Sequence, residues 1–214
     1  MLLANERIRK TKQAKVLTPV AQYLLLYHLQ IESIEGLAAR DIEDKIPYSY
    51  ASITLGITCL EDLELCQKVS GGSKRKVIHF DKRGMELWKQ AQAFLVNPVE
   101  ERIYCDDLLS DDNFPVCGIN ALAHYTWLNP DPERIIMVPV KQLREFKSSG
   151  VLVRPNEFDG NIIIEAWKYP PVTAIGTKAE WVDRLSLAIS LREDEDPRVE
   201  GEAERLINEI EWKD

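Results

Sequence analysis

The chain has 214 residues, 45% of them apolar, and a formal net charge of −8; that is enough apolar side chain to fill one large core or two small ones, and too much for a disordered segment. Its apolar runs, such as "YLLLY" at 23–27 and "III" at 162–164, are far short of the roughly 20 residues that span a bilayer. No basic and apolar leader with a small-residue cleavage site precedes them, which predicts a cytoplasmic protein with no membrane partner.

The charge is unevenly placed. Residues 1–99 carry 14 Lys/Arg against 11 Asp/Glu, whereas residues 100–214 carry 13 against 24, so a slightly basic region is joined to one of −11. Binding to phosphate depends on where positive charge sits and not on the total.

Residues 1–15 hold five basic side chains and one acidic one, a candidate basic arm. Thr18 followed by Pro19 predicts the start of a helix through "TPVAQYLLLYHLQ". A second helix is expected over "LAARDIEDKI", with Leu37, Ile42 and Ile46 on one face, until Pro47 stops it. A third follows over 49–62, capped by Ser49, with Ile53, Ile57 and Leu60 turned inward, Cys59 beside them, and Gly56 as a costly interior glycine. "LCQKVSGGSKRKVIHF" reads as a β-hairpin turning at Gly71 and Gly72, with Lys74, Arg75 and Lys76 at its tip. "DKRGMELWKQAQAFL" adds a further helix through Leu87, Trp88, Ala91 and Leu95.

Beyond residue 99, "GINALAHYTWL" predicts a helix, and "RIIMVPV", "GVLVRP" and "NIIIEAWKYP" predict strands. "WVDRLSLAISL" is a helix capped by Asp183, and "EDPRVEGEAERLINEIEW" one capped by Asp196 with Pro197 in its first turn and Val199, Leu206, Ile207 and Ile210 as its apolar face. The expected class is α+β: a winged helix-turn-helix domain over residues 1–99, then an acidic, mixed α/β domain over 100–214.

In that arrangement the third helix enters a DNA major groove and the hairpin lies over flanking phosphates or the minor groove. The candidate DNA-binding residues are Tyr48, Ser49, Tyr50, Ser52, Thr54 and Thr58 on the helix and Lys74, Arg75 and Lys76 on the wing. A solvated hairpin tip and a helix that serves only packing or protein contact account for the same residues, so a winged-helix interaction module without sequence-specific DNA binding stands as the alternative.

The chain resembles bacterial winged-helix regulators of the broad MarR-like group, and more closely the regulator or antitoxin proteins related to AbiE type IV toxin-antitoxin systems. The resemblance runs through "GLAARDIEDKIPYSYASITLGITCLEDLELC", "KVIHFDKRGMELWKQAQAFLVNPV", "GINALAHYTWL", "IEAWKYPP" and "VDRLSLAISLREDEDPRVEGEAERLINEIEW". It implies an autoregulating, DNA-binding antitoxin with its recognition helix at 49–62, its wing at 69–79 and a C-terminal domain that meets a partner, the toxin, or controls the reader. Such proteins often present a basic residue at mid-helix, where this chain has Leu55 and Gly56. A homodimer on a palindromic or repeated site is expected, because one small module reads few base pairs.

No catalysis, cofactor or metal is expected. Asp106, Asp107, Asp111 and Asp112 fall in a turn-like segment, and Glu165 and Lys168 are spaced one residue wider than a common nuclease E-x-K pair. No phosphate-binding G-x-x-x-x-G-K-[ST] loop or G-x-S-x-G elbow occurs. Cys59, Cys66, Cys105 and Cys117 lack zinc-site spacing and read as buried thiols. His28, His79 and His124 read as packing or hydrogen-bonding residues. Trp127, Trp167 and Tyr169 are candidates for either core or interface.

Overall fold

A computed structural model describes residues 16–72, 75–110 and 113–213. The basic segment 1–15, Lys74, Asp111 and Asp112 therefore lie outside the described residues. The class is α+β.

Helix α1 (Pro19–Gln30) starts where the sequence predicts: the Thr18 hydroxyl accepts the Ala21 N–H at 3.3 Å and Pro19 opens the first turn. Residues 21 to 29 are all buried, so α1 is a central helix walled on every side and not an amphipathic surface one. Helix α2 (Ala39–Glu43) is shorter than expected. The preceding residues are held by strand-like bonds instead: Gly36 N–H donates to Ile78 O at 2.8 Å, and Ile78 N–H to Leu37 O at 2.9 Å. Ile42 and Ile46 still reach the core. Helix α3 (Tyr50–Asp62) is capped by Ser49, whose hydroxyl accepts the Ser52 N–H at 3.4 Å.

Ile53, Ile57 and Leu60 bury one side of α3, as expected. Gly56 lies on that same side. A Cβ there would fall 2.7 Å from Leu24 Cδ1 and 3.2 Å from Val20 Cγ1. The glycine that weakens the helix in isolation is what lets α3 close on α1.

Strands β1 (Gln67–Ser70) and β2 (Lys76–His79) pair antiparallel with Val69 opposite Val77. Their turn is made by Gly71 N–H to Arg75 O at 2.8 Å and Arg75 N–H to Gly72 O at 2.9 Å, with Gly72 at φ 81°. Helix α4 (Gly84–Ala91) buries Leu87, Trp88 and Ala91.

The remaining chain builds a three-stranded sheet in the order β3 (Val99–Cys105), β7 (Ile162–Trp167), β5 (Arg134–Pro139). The central β7 runs antiparallel to β3 and parallel to β5, and all six of its residues are buried, as a strand covered on both faces requires. Helix α6 (Val140–Ser149) follows β5 directly, and a small ribbon pairs β4 (Asp107–Leu108) with β6 (Leu152–Val153). Helix α5 (Gly118–Tyr125) precedes β5, and α7 (Arg184–Ser190) and α8 (Pro197–Asn208) follow β7. Asp183 and Asp196 cap α7 and α8 as predicted, accepting the N–H groups of Ser186 and Arg198. Strand β3 and helix α6 are absent from the sequence expectations.

One core surrounds α1, a second lies between the sheet and α5, α7 and α8, and a third packs α6 and Leu152 on the opposite face. The first core crosses residue 99. Tyr169, Val172, Leu185 and Ile189 are buried in it, and Ile207, Ile210 and Trp212 pack on it. Polar ties run the same way: Gln22 donates to Val96 O (2.9 Å) and Tyr169 Oη (2.8 Å) and accepts from Val96 N (2.8 Å). Asp183 accepts from Gln30 Nε2 (2.6 Å) and Val172 N (2.7 Å). No helix among the described residues is long and apolar enough to cross a membrane.

Candidate nucleic-acid interface

Helix α2, the first half of α3 and the hairpin enclose a groove of about 510 Å³ lined by Arg40, Tyr50, Thr54, Lys68, Arg75 and Lys76, among others. Period two along the hairpin puts Lys68, Ser70, Lys76 and Ile78 on one face, and burial of Ile78 turns that face towards α3. Four cations thus gather beside the helix that carries the predicted readers. Arg40 and Lys68 were not among those predictions. Hairpin register would have found Lys68; nothing local points to Arg40.

Most of these charges have a local partner. Arg40 Nη1 is 3.1 Å from Glu43 Oε2, and its guanidinium lies 4.5 Å from the centre of the Tyr50 ring. Lys68 Nζ is 2.9 Å from Glu61 and donates to Thr58 Oγ1 at 2.8 Å; Lys68 beside Glu61 holds that carboxyl below its ordinary range. Arg75 pairs with Asp41. Lys76 is exposed and makes no ion pair among the described residues.

The predicted helix residues separate. Tyr50 and Thr54 line the groove. Ser49 is the cap, its hydroxyl 3.1 Å from that of Ser52. Thr54 and Thr58 donate their hydroxyls to the carbonyls four residues back, at 2.8 and 2.9 Å. Tyr48 packs edge-on against Tyr23, ring centres 5.1 Å apart, and burial pushes its phenol pKa well up, which places it at the margin of the core.

The residues weighed for catalysis or metal binding are engaged elsewhere. Glu165 is buried in the central strand, accepting from Arg102 Nη2 at 2.6 Å and Trp167 Nε1 at 3.1 Å, while Lys168 reaches Asn97 O at 2.8 Å. Asp106 binds Arg154 through both oxygens, at 2.6 and 2.7 Å. Cys66, Cys105 and Cys117 are buried free thiols and Cys59 is half-buried; burial lifts the Cys66 thiol to about 12. His28 stacks on Phe80 at 4.0 Å, His79 pairs with Glu35 at 2.7 Å, and His124 stacks on Trp181 at 4.1 Å. Among the described residues no three His, Cys, Asp or Glu side chains converge as a metal site. Of the three C-terminal aromatics, Trp167 and Tyr169 are core, whereas Trp127 is 87% exposed. No protein-family model, curated protein or solved structure matches the chain.

Proposed function

We propose that this protein is a DNA-binding transcriptional regulator whose N-terminal region is a winged helix-turn-helix unit, with α3 as recognition helix and β1–β2 as wing. One observation carries the reading: Arg40, Lys68, Arg75 and Lys76 line the groove between α2, α3 and the hairpin, with Lys68 towards the end of α3 where it meets Thr58 and Glu61. The backbone bonds of Ile78 with Gly36 and Leu37 tie the two-stranded hairpin to the segment before α2, which braces it against the helices. The Glu43 carboxylate accepts the Tyr50 N–H at the start of α3 at 3.0 Å, which offsets the positive end of that helix dipole, so the field of the groove rests on its side-chain cations.

Two copies on a palindromic or repeated site would double the few base pairs one unit reads. The acidic region beyond residue 99 serves as a partner or control module in this proposal. The resemblance to AbiE-related regulators makes an antitoxin role, with a toxin as the partner, the form we favour. The cofactor-free, non-catalytic character of the proposal is supported by the engagement of Glu165 and Asp106 with arginines.

A second reading, a protein-interaction module with no sequence-specific DNA binding, is favoured by the pairing of Arg40, Lys68 and Arg75 with neighbouring carboxylates. Binding of the full chain to a random duplex pool, as a function of salt, separates the two. The DNA reading expects the affinity of the Lys74→Ala, Arg75→Ala, Lys76→Ala variant to fall for all sequences, with a salt slope shallower by about 0.9 for each phosphate that the variant no longer neutralises. Equal slopes for variant and parent favour the second reading.

A further inference from the structure

We infer that α3 reads duplex DNA chiefly through carbon, recognising the C5-methyl groups of thymine in the major groove with Leu55 as the central contact; this rests on the DNA-binding reading above. On α3 the buried side is set by Ile53, Gly56, Ile57 and Leu60. At 100° per residue the opposite side carries Ala51, Leu55 and Thr58, at spacings of four and three, with Asp62 at its far end. Leu55 is 72% exposed. A single exposed leucine is ordinary on a protein surface; its place on an outward stripe beside the cation-lined groove is what marks it as a contact.

The serine and threonine hydroxyls of α3 and its cap are already engaged within the fold, and the Tyr50 phenol lies on the groove side and not on this stripe. Thr54 and Thr58 donate to backbone carbonyls, Thr58 also accepts from Lys68, and Ser49 and Ser52 face each other across the cap. No arginine, lysine, asparagine or glutamine stands on α3, so bidentate recognition of guanine or adenine has no donor there. What the outward stripe has left to offer is the alanine methyl, the leucine isobutyl group and the threonine methyl. The one base substituent in the major groove that matches them is the thymine methyl. Charge complementarity selects DNA as the occupant, because Lys76 and the paired cations flank this stripe on the hairpin side.

The test uses the full chain. Duplexes enriched from a random pool at low salt are remade with thymine replaced, one position at a time, by deoxyuridine, which removes only the methyl. The expected result is an affinity loss of about fourfold at one or two adjacent positions, the value of one methyl moved out of water, and loss of this thymine-uracil discrimination in Leu55→Ala. Enrichment of a sequence whose affinity is unchanged by deoxyuridine at every position overturns the inference and leaves the DNA-binding reading standing. Failure to enrich any duplex overturns both. A Leu55→Ala protein that keeps the full thymine-uracil ratio but changes its oligomeric state in light scattering also overturns it, and assigns the leucine to contact between copies.

Discussion

Replacing Gly56 by alanine sets two effects of known size against each other. In a free helix the exchange stabilises by about 1 kcal/mol, because glycine loses the larger backbone entropy. Here the new methyl would stand 2.7 Å from Leu24 Cδ1, 3.2 Å from Val20 Cγ1 and 3.4 Å from the Ala21 nitrogen, whereas carbon pairs are at their best near 3.5–4.0 Å. Leu24 is fully buried, so it can yield only by displacing its own neighbours, and overpacking of this kind costs about 1–3 kcal/mol. The net expectation is a loss of about 1 kcal/mol, or a fall of about 2–4 °C in Tm for a chain of this size. Urea unfolding followed by circular dichroism measures it. The cause is isolated by repeating the exchange in Leu24→Ala, where the vacated space should accept the methyl and turn the loss into a gain, a coupling of more than about 1 kcal/mol. Gly56→Ala raising stability by the full helix-propensity amount in both backgrounds would refute the close approach of α1 and α3.

Three further outcomes follow from other parts of the molecule. Glu165→Ala leaves Arg102 and the Trp167 N–H without their shared acceptor; breaking a buried pair costs about 3–5 kcal/mol, and because the Arg102 side chain is 49% exposed the lower end is expected in urea unfolding. Asp41→Asn with Glu61→Gln keeps hydrogen-bonding capacity but removes the negative partners of Arg75 and Lys68, so non-specific DNA affinity should rise and the salt slope steepen by up to about 0.9 for each cation freed, read by fluorescence anisotropy. Burial, opposed by bonds from Val172, Ser186 and Gln30, holds the Asp183 carboxyl above its ordinary 3.8. Between that value and the raised one the folded chain keeps a proton that the unfolded chain has lost, so stability falls as pH rises through the window. Urea midpoints across the mildly acid range should lose that slope in Asp183→Asn.

The features legible in the sequence are those decided within one turn of chain. Thr18 with Pro19, Ser49, Asp183, and Asp196 with Pro197 each satisfy a helix N-terminus a few residues away, and all four caps form. The hairpin is equally local, because Gly71 and Gly72 supply its turn. What could not be read depends on distant partners. Helix α2 loses its expected first turn because Gly36 and Leu37 bond to Ile78. Strand β3 hides behind three consecutive charged residues, Glu100 to Arg102, on a sheet edge, and α6 buries only Leu143 and Phe146, too thin a stripe to announce a helix. The candidate interface is half visible: its hairpin cations, Lys68 among them by register, and groove-lining Tyr50 and Thr54 are sequence neighbours, but Arg40 joins them only through tertiary packing, and Tyr48 goes to Tyr23 for the same reason.

The wrapping of α1 by residues 169–212 also bears on synthesis. A nascent chain released only through α4 has the helices and the hairpin, yet Leu17, Tyr23 and the far side of α1 still lack the side chains of Tyr169, Leu185 and Ile189 that cover this core. The ribosome must add roughly 120 more residues, about 6 to 24 s of elongation, before Trp212 can settle beside Trp88 and the Lys213 N–H can close on Leu29 O. For that interval the oldest part of the chain waits with an oily flank open to chaperones. It also means that a proteolytic cut after α8 would withdraw Ile210 and Trp212 from this core and the Lys213 N–H from the end of α1, without touching α3 or the hairpin.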